Sequence, residues 1–133
     1  MRTYKVLAVI AGLLALATML SGCWLLPVTI DETADGTVQS IEIGDEILIQ
    51  LSGDTSTGFQ WIRAEPESFN GKPLEVVSEG DYEPEDPGVC GGSGIFSFRY
   101  RAVASGTIAL SFAHRRPWED ETVDTFSIII WVR

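Results

Sequence analysis

The sequence has only two cysteines, one histidine and few basic residues, and each shortage excludes a class of protein. Cys23 and Cys90 lie in such different surroundings that we do not expect a disulfide framework. A lone histidine and one free thiol lack the spacing of a metal site, so we expect neither a metal nor a cofactor. Nine basic residues stand against nineteen acidic ones, for a formal net charge of −10. Such a surface repels a phosphate backbone, which excludes nucleic acid as a partner.

The first 23 residues have the layout of a secretory signal. A basic start at Arg2 and Lys5 precedes an apolar run over residues 6–20, and the segment ends in Leu-Ser-Gly-Cys at residues 20–23. This ending resembles the lipobox of prokaryotic lipoproteins, in which the cysteine is acylated and the preceding peptide bond is cut. The resemblance implies a signal peptide over 1–22 and an extracytoplasmic protein, anchored to the cell membrane through lipid on Cys23.

An uncleaved transmembrane anchor over residues 6–26 is the alternative. Trp24, Leu25 and Leu26 prolong the apolar stretch to about 20 residues, a length that spans a bilayer. In both cases the rest of the chain faces outward. Pro27 and the polar run at 31–33 predict a tether, so we expect a lipidated N-terminus and tether over 23–36 and one folded domain over 37–133.

From Thr37 onward apolar residues recur with a period of two, which indicates strands instead of helices. The pattern predicts a hairpin around the turn at Gly44-Asp45 and further strands near 59–63, 74–77, 95–103, 108–112 and 126–132. Within 95–103 the predicted core face holds Phe96, Phe98, Tyr100 and Ala102. About seven strands with frequent turns predict an all-β, immunoglobulin-like sandwich, in which Trp61 is expected to be buried.

Three connections between these strands differ from the plainer turns. They span residues 53–58, 80–94 and 114–122. If successive strands run antiparallel, these three connections emerge at the same end of the sandwich. Three unusual loops at one end of a rigid scaffold predict a recognition surface.

Each of the three loops contains a short motif. In chain order the motif residues are Asp54, Thr55, Ser56, Thr57, Gly58 and Phe59, followed by Gln60 and Trp61; then Cys90, Gly91 and Gly92; then Arg116, Pro117 and Trp118. Together they resemble the motifs of the chagasin family of cysteine protease inhibitors, namely Asn-Pro-Thr-Thr-Gly-aromatic-x-Trp, Gly-x-Gly-Gly and Arg-Pro-Trp on an immunoglobulin-like fold. The resemblance covers nearly all of residues 37–133. It departs at Asp54 and Thr55, where the family has Asn and Pro. It departs again at Val89, where the family has its first glycine, unless Gly88 takes that role with a small shift.

The resemblance implies a reversible, tight-binding inhibitor of papain-like cysteine proteases. Nothing in the sequence suggests more than a monomer. Residues 54–59 would cover the catalytic Cys-His pair, residues 90–92 would run along the substrate-side wall, and residues 116–118 would pack on the primed side. Hydroxyl groups at 55–57 can satisfy polar atoms of a catalytic site without presenting an attackable carbonyl. Trp118, held by the preceding proline, is the type of residue that supplies binding hot spots.

Two other functions stay open from the residues alone. Thr-Gly and Gly-Gly pairs are ordinary turn chemistry, so a non-inhibitory immunoglobulin-like cell-surface binding or adhesion module is the alternative. A thiol enzyme is the other, because Cys90 and His114 fall on neighbouring loops and nucleophilic catalysis needs such a pair. No recognisable nucleophile signature surrounds Cys90, and we therefore do not expect an enzyme.

Overall fold

The computed structural model describes residues 26–88 and 92–133; the predictions for the signal segment, Cys23, Cys90 and Gly91 lie outside these ranges. The described residues form eight strands and one 3-10 turn at Glu32–Ala34. The strands are β1 Val28–Ile30, β2 Val38–Ile41, β3 Glu46–Asp54, β4 Gln60–Glu65, β5 Leu74–Pro84, β6 Ser93–Ala102, β7 Gly106–Arg115 and β8 Thr122–Val132.

The strands form two four-stranded sheets, one in the order β1-β3-β6-β5 and the other in the order β2-β8-β7-β4. β6 pairs antiparallel with β3 and β5, and β7 pairs antiparallel with β4 and β8. The edge strands β1 and β2 pair in parallel with β3 and β8. The two packed sheets confirm the predicted all-β, immunoglobulin-like sandwich.

Alternate residues of the strands face inward and form one core between the sheets. The predicted face of β6 is buried, with Phe96, Phe98, Tyr100 and Ala102 all at most 4% exposed. Trp61 is also buried, at 5% exposure, and its indole N–H donates to the Ser52 carbonyl at 2.8 Å. Each large apolar side chain buried in this way contributes about 1.5–3 kcal/mol to the stability of the sandwich.

The folded domain begins earlier than residue 37, which corrects the predicted tether over 23–36. Val28, Thr29 and Ile30 pair with Ile47, Leu48 and Ile49 of β3, and Ile30 is 4% exposed in the core. The 3-10 turn that follows is capped by Asp31, whose carboxylate accepts the Thr33 N–H at 2.9 Å. A three-residue strand has too short a pattern to be distinguished from a tether, and it exists because β3 offers it an unpaired edge.

The predicted hairpin around Gly44-Asp45 is also wrong. β2 and β3 lie in different sheets, and the turn between them carries the chain across the sandwich. Ile43 belongs to this turn and is 56% exposed. Both strands have the alternation of a hairpin, but β2 pairs with β8 at the other end of the sequence. Local alternation does not specify the partner of a strand.

The strand register defines two ends of the sandwich. β3 ends at Asp54 opposite Ser93, and β5 ends at Pro84 opposite Gly94. In the other sheet Arg115 lies between the first residues of β4 and β8. The connections that follow Asp54, Pro84 and Arg115 therefore emerge at one end, the loop pole. They are shorter than the predicted loops because β3, β5 and β7 extend further than the sequence pattern indicates. The opposite end, formed by residues 42–45, 71–73, 103–105 and 133, is the far pole.

Candidate functional site

The first loop is held by two local hydrogen bonds. The Asp54 carboxylate accepts the Ser56 N–H at 2.8 Å, and the Gly58 N–H donates to the Thr55 carbonyl at 3.1 Å. The Ser56 hydrogen bond holds the pKa of Asp54 below its ordinary value, so this carboxylate stays ionised. An aspartate whose side chain accepts a hydrogen bond from the backbone N–H two residues later holds the chain in a turn. Asp54 thus restricts a loop that has threonine at position 55, where proline would have fixed φ.

The third loop contacts the first through Arg116. Its Nε donates to the Thr57 carbonyl at 2.8 Å, and its guanidinium carbon lies 4.6 Å from the centre of the Phe59 ring. The same guanidinium forms an ion pair with Glu119 at 3.2 Å, within its own loop. Charge-assisted hydrogen bonds and cation–π contacts both favour a fixed geometry. The two loops therefore form one continuous surface.

Trp118 lies on the outside of this surface, packed against Gly58. The tryptophan is 70% exposed, and a Cβ placed on Gly58 would lie 2.6 Å from its Cη2 atom. Gly58 has a φ of +84°, in the left-handed region that favours glycine. The position thus has two independent reasons to be glycine, the turn and the approach of the indole. An exposed indole on a fixed backbone is suited to inserting into a partner's groove.

The base of the second loop is supported by Tyr82, which the sequence analysis did not single out. Its hydroxyl donates to the Gly92 carbonyl at 3.0 Å, and its ring lies over Gly94, where a Cβ would be 2.5 Å from the ring. Gly94 pairs with Gly53 of β3 and Pro84 of β5. Only the strand register reveals that Tyr82 and this glycine meet.

Comparison with known proteins identifies the family. A family model described as "Chagasin family peptidase inhibitor I42" matches residues 40–130. The chain belongs to the chagasin family. This confirms the resemblance drawn from the loop motifs, and because the family consists of cysteine protease inhibitors, the protein is not an enzyme.

Individual chagasin-family relatives are distant in sequence. The chain is 28% identical to chagasin of Trypanosoma cruzi over 101 residues, which cover 74% of this chain and 90% of that protein. It is 26% identical to amoebiasin-1 of Entamoeba histolytica over 106 residues, 79% of this chain and 99% of the relative. The crystal structure of the cysteine protease inhibitor EhICP2 from Entamoeba histolytica is similar with a TM-score of 0.65 at 22% identity, covering 80% of this chain and 94% of that one. The structural likeness shows the shared fold.

His114 supports the chagasin-family loops from beneath. Its ring stacks on Trp61 at 4.9 Å with an interplanar angle of 12°, and it also meets the Phe59 ring at 5.6 Å. Its Nε2 atom is buried without a hydrogen-bond partner. Burial lowers the pKa of His114 below its ordinary value, and the smaller effect of Asp124 opposes it. As a neutral ring in an aromatic stack, His114 has a packing role in this protein, in place of the catalytic one that the sequence left open.

The described part of the chain contains neither a candidate metal site nor a helix that could span a membrane. Across residues 26–88 and 92–133, no group of three or more His, Cys, Asp or Glu side chains is arranged to hold a metal ion. Over the same ranges, no helix combines the length and the apolar character needed to cross a bilayer.

The described contact residues predicted from the sequence all lie at the loop pole. They are Asp54 to Phe59, Gly92 and Arg116 to Trp118.

Proposed function

We propose that this protein is a reversible, tight-binding inhibitor of papain-like cysteine proteases, and that its loop pole enters the active-site cleft. The observation that carries the proposal is the contact between the first and third loops. Arg116 bonds the Thr57 carbonyl, and the exposed Trp118 ring lies on Gly58. Loops that are ordered before binding lose little conformational entropy in the complex.

In this proposal the first loop covers the catalytic centre. The thiolate of a papain-like enzyme is paired with an imidazolium, and the ionised Asp54 carboxylate adds a favourable negative charge beside that cation. The hydroxyl and backbone groups of residues 55–57 offer hydrogen bonds to the polar atoms of the centre. No peptide bond of the loop has to be cut, because the loop fills the cleft without serving as a substrate.

The other two loops extend the contact on either side. The glycine-rich segment over 90–92 lies along the substrate-side wall, where small residues allow close backbone approach. Arg116, Pro117 and Trp118 pack on the primed side, with the indole as the principal anchor. An interface of about 1,600 Å² in total is sufficient for tight binding when its parts are preorganised.

Inhibition of papain tests this function. Residues 24–133, purified as a soluble domain, should inhibit papain at submicromolar concentration, and dilution of the complex should restore protease activity. Trp118→Ala should weaken inhibition by about 30-fold, equivalent to ~2 kcal/mol for a lost hot spot. The matched control is Trp131→Ala, which removes a 48% exposed tryptophan next to the far pole and should leave inhibition unchanged. Failure to inhibit papain and several cathepsins would refute the proposal.

The proposed setting is the outer face of a membrane. The segment ending at Cys23 directs export, and lipid on that cysteine anchors a monomer. Metabolic labelling of the full chain with an alkyne-tagged palmitate in a bacterial host should mark the protein, and Cys23→Ala should abolish the label. An unlabelled protein that fractionates with the soluble proteins would contradict the anchor.

A further inference from the structure

The far pole and the strand ends next to it carry exposed apolar side chains that the core does not use. Leu26, Ile43, Val103 and Trp131 are 84%, 56%, 43% and 48% exposed. Ile43 and Val103 lie in turns of the pole, Trp131 is the second-last residue of β8, and Leu26 immediately precedes the segment that enters β1. Exposed apolar residues gathered at one end of a small domain mark an interaction surface.

This end is rigid. The Gly44 N–H donates to the Ala102 carbonyl at 2.9 Å, and the Val103 N–H donates to the Pro73 carbonyl at 2.8 Å. The Ile43 N–H donates to the carbonyl of Arg133 at 3.3 Å. The turns of the far pole are therefore joined to one another by backbone hydrogen bonds. These hydrogen bonds fix the backbone positions from which the apolar side chains extend.

The two poles of the molecule differ in their balance of acidic and basic residues. Around the far pole, the four carboxylates Glu42, Asp45, Glu46 and Glu75 accompany the three basic residues Lys72, Arg101 and Arg133. Two of those carboxylates are paired with Arg101, Glu46 at 2.7 Å and Glu75 at 3.0 Å. In and next to the loop pole, only Arg115 and Arg116 accompany nine carboxylates, which are Asp54, Asp81, Glu83, Glu85, Asp86, Glu119, Asp120, Glu121 and Asp124. An anionic lipid surface repels the loop pole and tolerates the far pole.

The topology also limits how far the chain can extend from a lipid anchor. β1 starts beside Ile47, one residue into β3 at its far-pole end. The five residue steps from Cys23 to Val28 span at most about 17 Å. β8, with 11 residues, is about 37 Å long and runs from the loop pole to the far pole. A tether of that length excludes an inverted molecule, with the loop pole on the membrane and the far pole facing the medium, while β1 stays paired.

We propose that the far pole is a membrane-docking surface on which the anchored inhibitor stands upright. The side chains of Leu26, Ile43, Val103 and Trp131 rest at the level of the lipid headgroups, where tryptophan is favoured. The three loops then project away from the membrane, by about the 37 Å length of β8. The inference rests on the proposed lipid anchor at Cys23. It explains how a tether this short leaves the loops free to meet a protease arriving from the medium.

Energy transfer to labelled lipid headgroups measures this orientation. The full chain carrying Cys90→Ser is processed in a bacterial host and reconstituted into vesicles of phosphatidylethanolamine and phosphatidylglycerol. One sample carries a thiol-reactive donor dye at the far pole through Ala104→Cys, and the other carries it at the loop pole through Asp120→Cys. Transfer should be several-fold more efficient from position 104 than from position 120. Equal transfer from both positions would overturn the proposal, because the molecule would then lie on its side.

A second variant separates docking from tethering. Ile43→Ser, Val103→Ser and Trp131→Ser in one chain remove exposed apolar groups, so the fold should survive and the protein should stay in the vesicles. The difference in transfer between the two labelled positions should then shrink. The matched control is Val123→Ser, which changes a 55% exposed valine at the start of β8 and should preserve the difference. An unchanged difference in the triple variant would mean that the tether alone sets the orientation, which overturns the docking surface.

Two further readouts distinguish the ways in which this inference could fail. Papain inhibition is measured on matched vesicles that carry the unlabelled wild-type chain. If the labelled chains show the upright orientation and the wild-type chain does not inhibit, the proposed function is removed and the docking surface stands. A chain absent from the membrane fraction overturns the anchor and the docking surface together. Sedimentation in detergent micelles should give a monomer. A dimer broken by Ile43→Ser would assign the far pole to a second copy and overturn the membrane proposal.

Discussion

Replacing Gly58 by alanine should weaken inhibition through a displacement of Trp118. The new Cβ would lie 2.6 Å from Cη2 of the indole, whereas ordinary contacts begin at 3.4 Å. The ring therefore has to move by about 0.8 Å or more, since van der Waals repulsion rises steeply below contact distance. Alanine must also adopt the φ of +84° that glycine has here, at a cost of about 1–2 kcal/mol.

These two effects are measured by different assays. Urea unfolding at pH 7 should report a loss of about 1–2 kcal/mol in the free energy of unfolding, from backbone strain. The inhibition constant against papain should rise by about 10- to 30-fold, because a displaced hot-spot residue loses about 1.4–2 kcal/mol of binding.

Gly71→Ala is the matched control. Gly71 also has positive φ, +69°, but a Cβ there would meet no atom within 4 Å. Its stability loss should resemble that of Gly58→Ala, and its inhibition constant should stay at the wild-type value. Equal weakening of inhibition by both variants would refute the reasoning, since strain alone would then explain the effect. A wild-type inhibition constant for Gly58→Ala would refute it as well.

Two further predictions concern contacts beside and beneath the loops, and a third concerns a hydrogen bond within the β-sandwich. Arg116→Lys keeps the charge but removes the Nε donor to the first loop, so papain inhibition should weaken by about tenfold, or ~1.4 kcal/mol, while Arg99→Lys on β6 leaves it unchanged. Because the pKa of His114 is lowered in the folded state, the wild-type urea midpoint should fall as pH drops from 7.5 through 6.5 to 5.5. His114→Phe keeps the aromatic stack and should reduce that fall. If the variant and the wild type have the same pH profile, His114 is not the source of the pH dependence. Tyr100→Phe removes a 2.8 Å hydrogen bond to Glu79 and should cost about 1 kcal/mol in urea unfolding, whereas an unchanged midpoint would mean that the bond adds nothing.

The buried face of each long strand could be predicted from the sequence. In β6 the apolar residues Phe96, Phe98 and Tyr100 alternate with polar ones, and a period of two assigns alternate residues to opposite faces whatever the partner strand is. The position of the loops at one pole followed from the same pattern, because antiparallel succession places every second connection at the same end.

The partners of the short strands could not be predicted. β1 and β2 pair in parallel with β3 and β8, and the β2 partner lies at the other end of the sequence. Their few alternating residues fit a tether or a hairpin equally well. Pairing depends on which sheet edges are left open once the longer strands have assembled.

For the candidate site, the sequence predicted the residues but not the contacts between them. The motif sequences marked Gly58, Arg116 and Trp118 as members of a recognition surface, and the glycine signalled a turn by its own conformational freedom. Their mutual contacts became visible only in the fold. The bond from Arg116 to Thr57 and the indole lying on Gly58 join residues about 60 positions apart in the chain. Local sequence therefore determined which residues each loop offers. The sheet register brought them together, because distances between loops depend on the packing of two sheets and not on the preferences of any single segment.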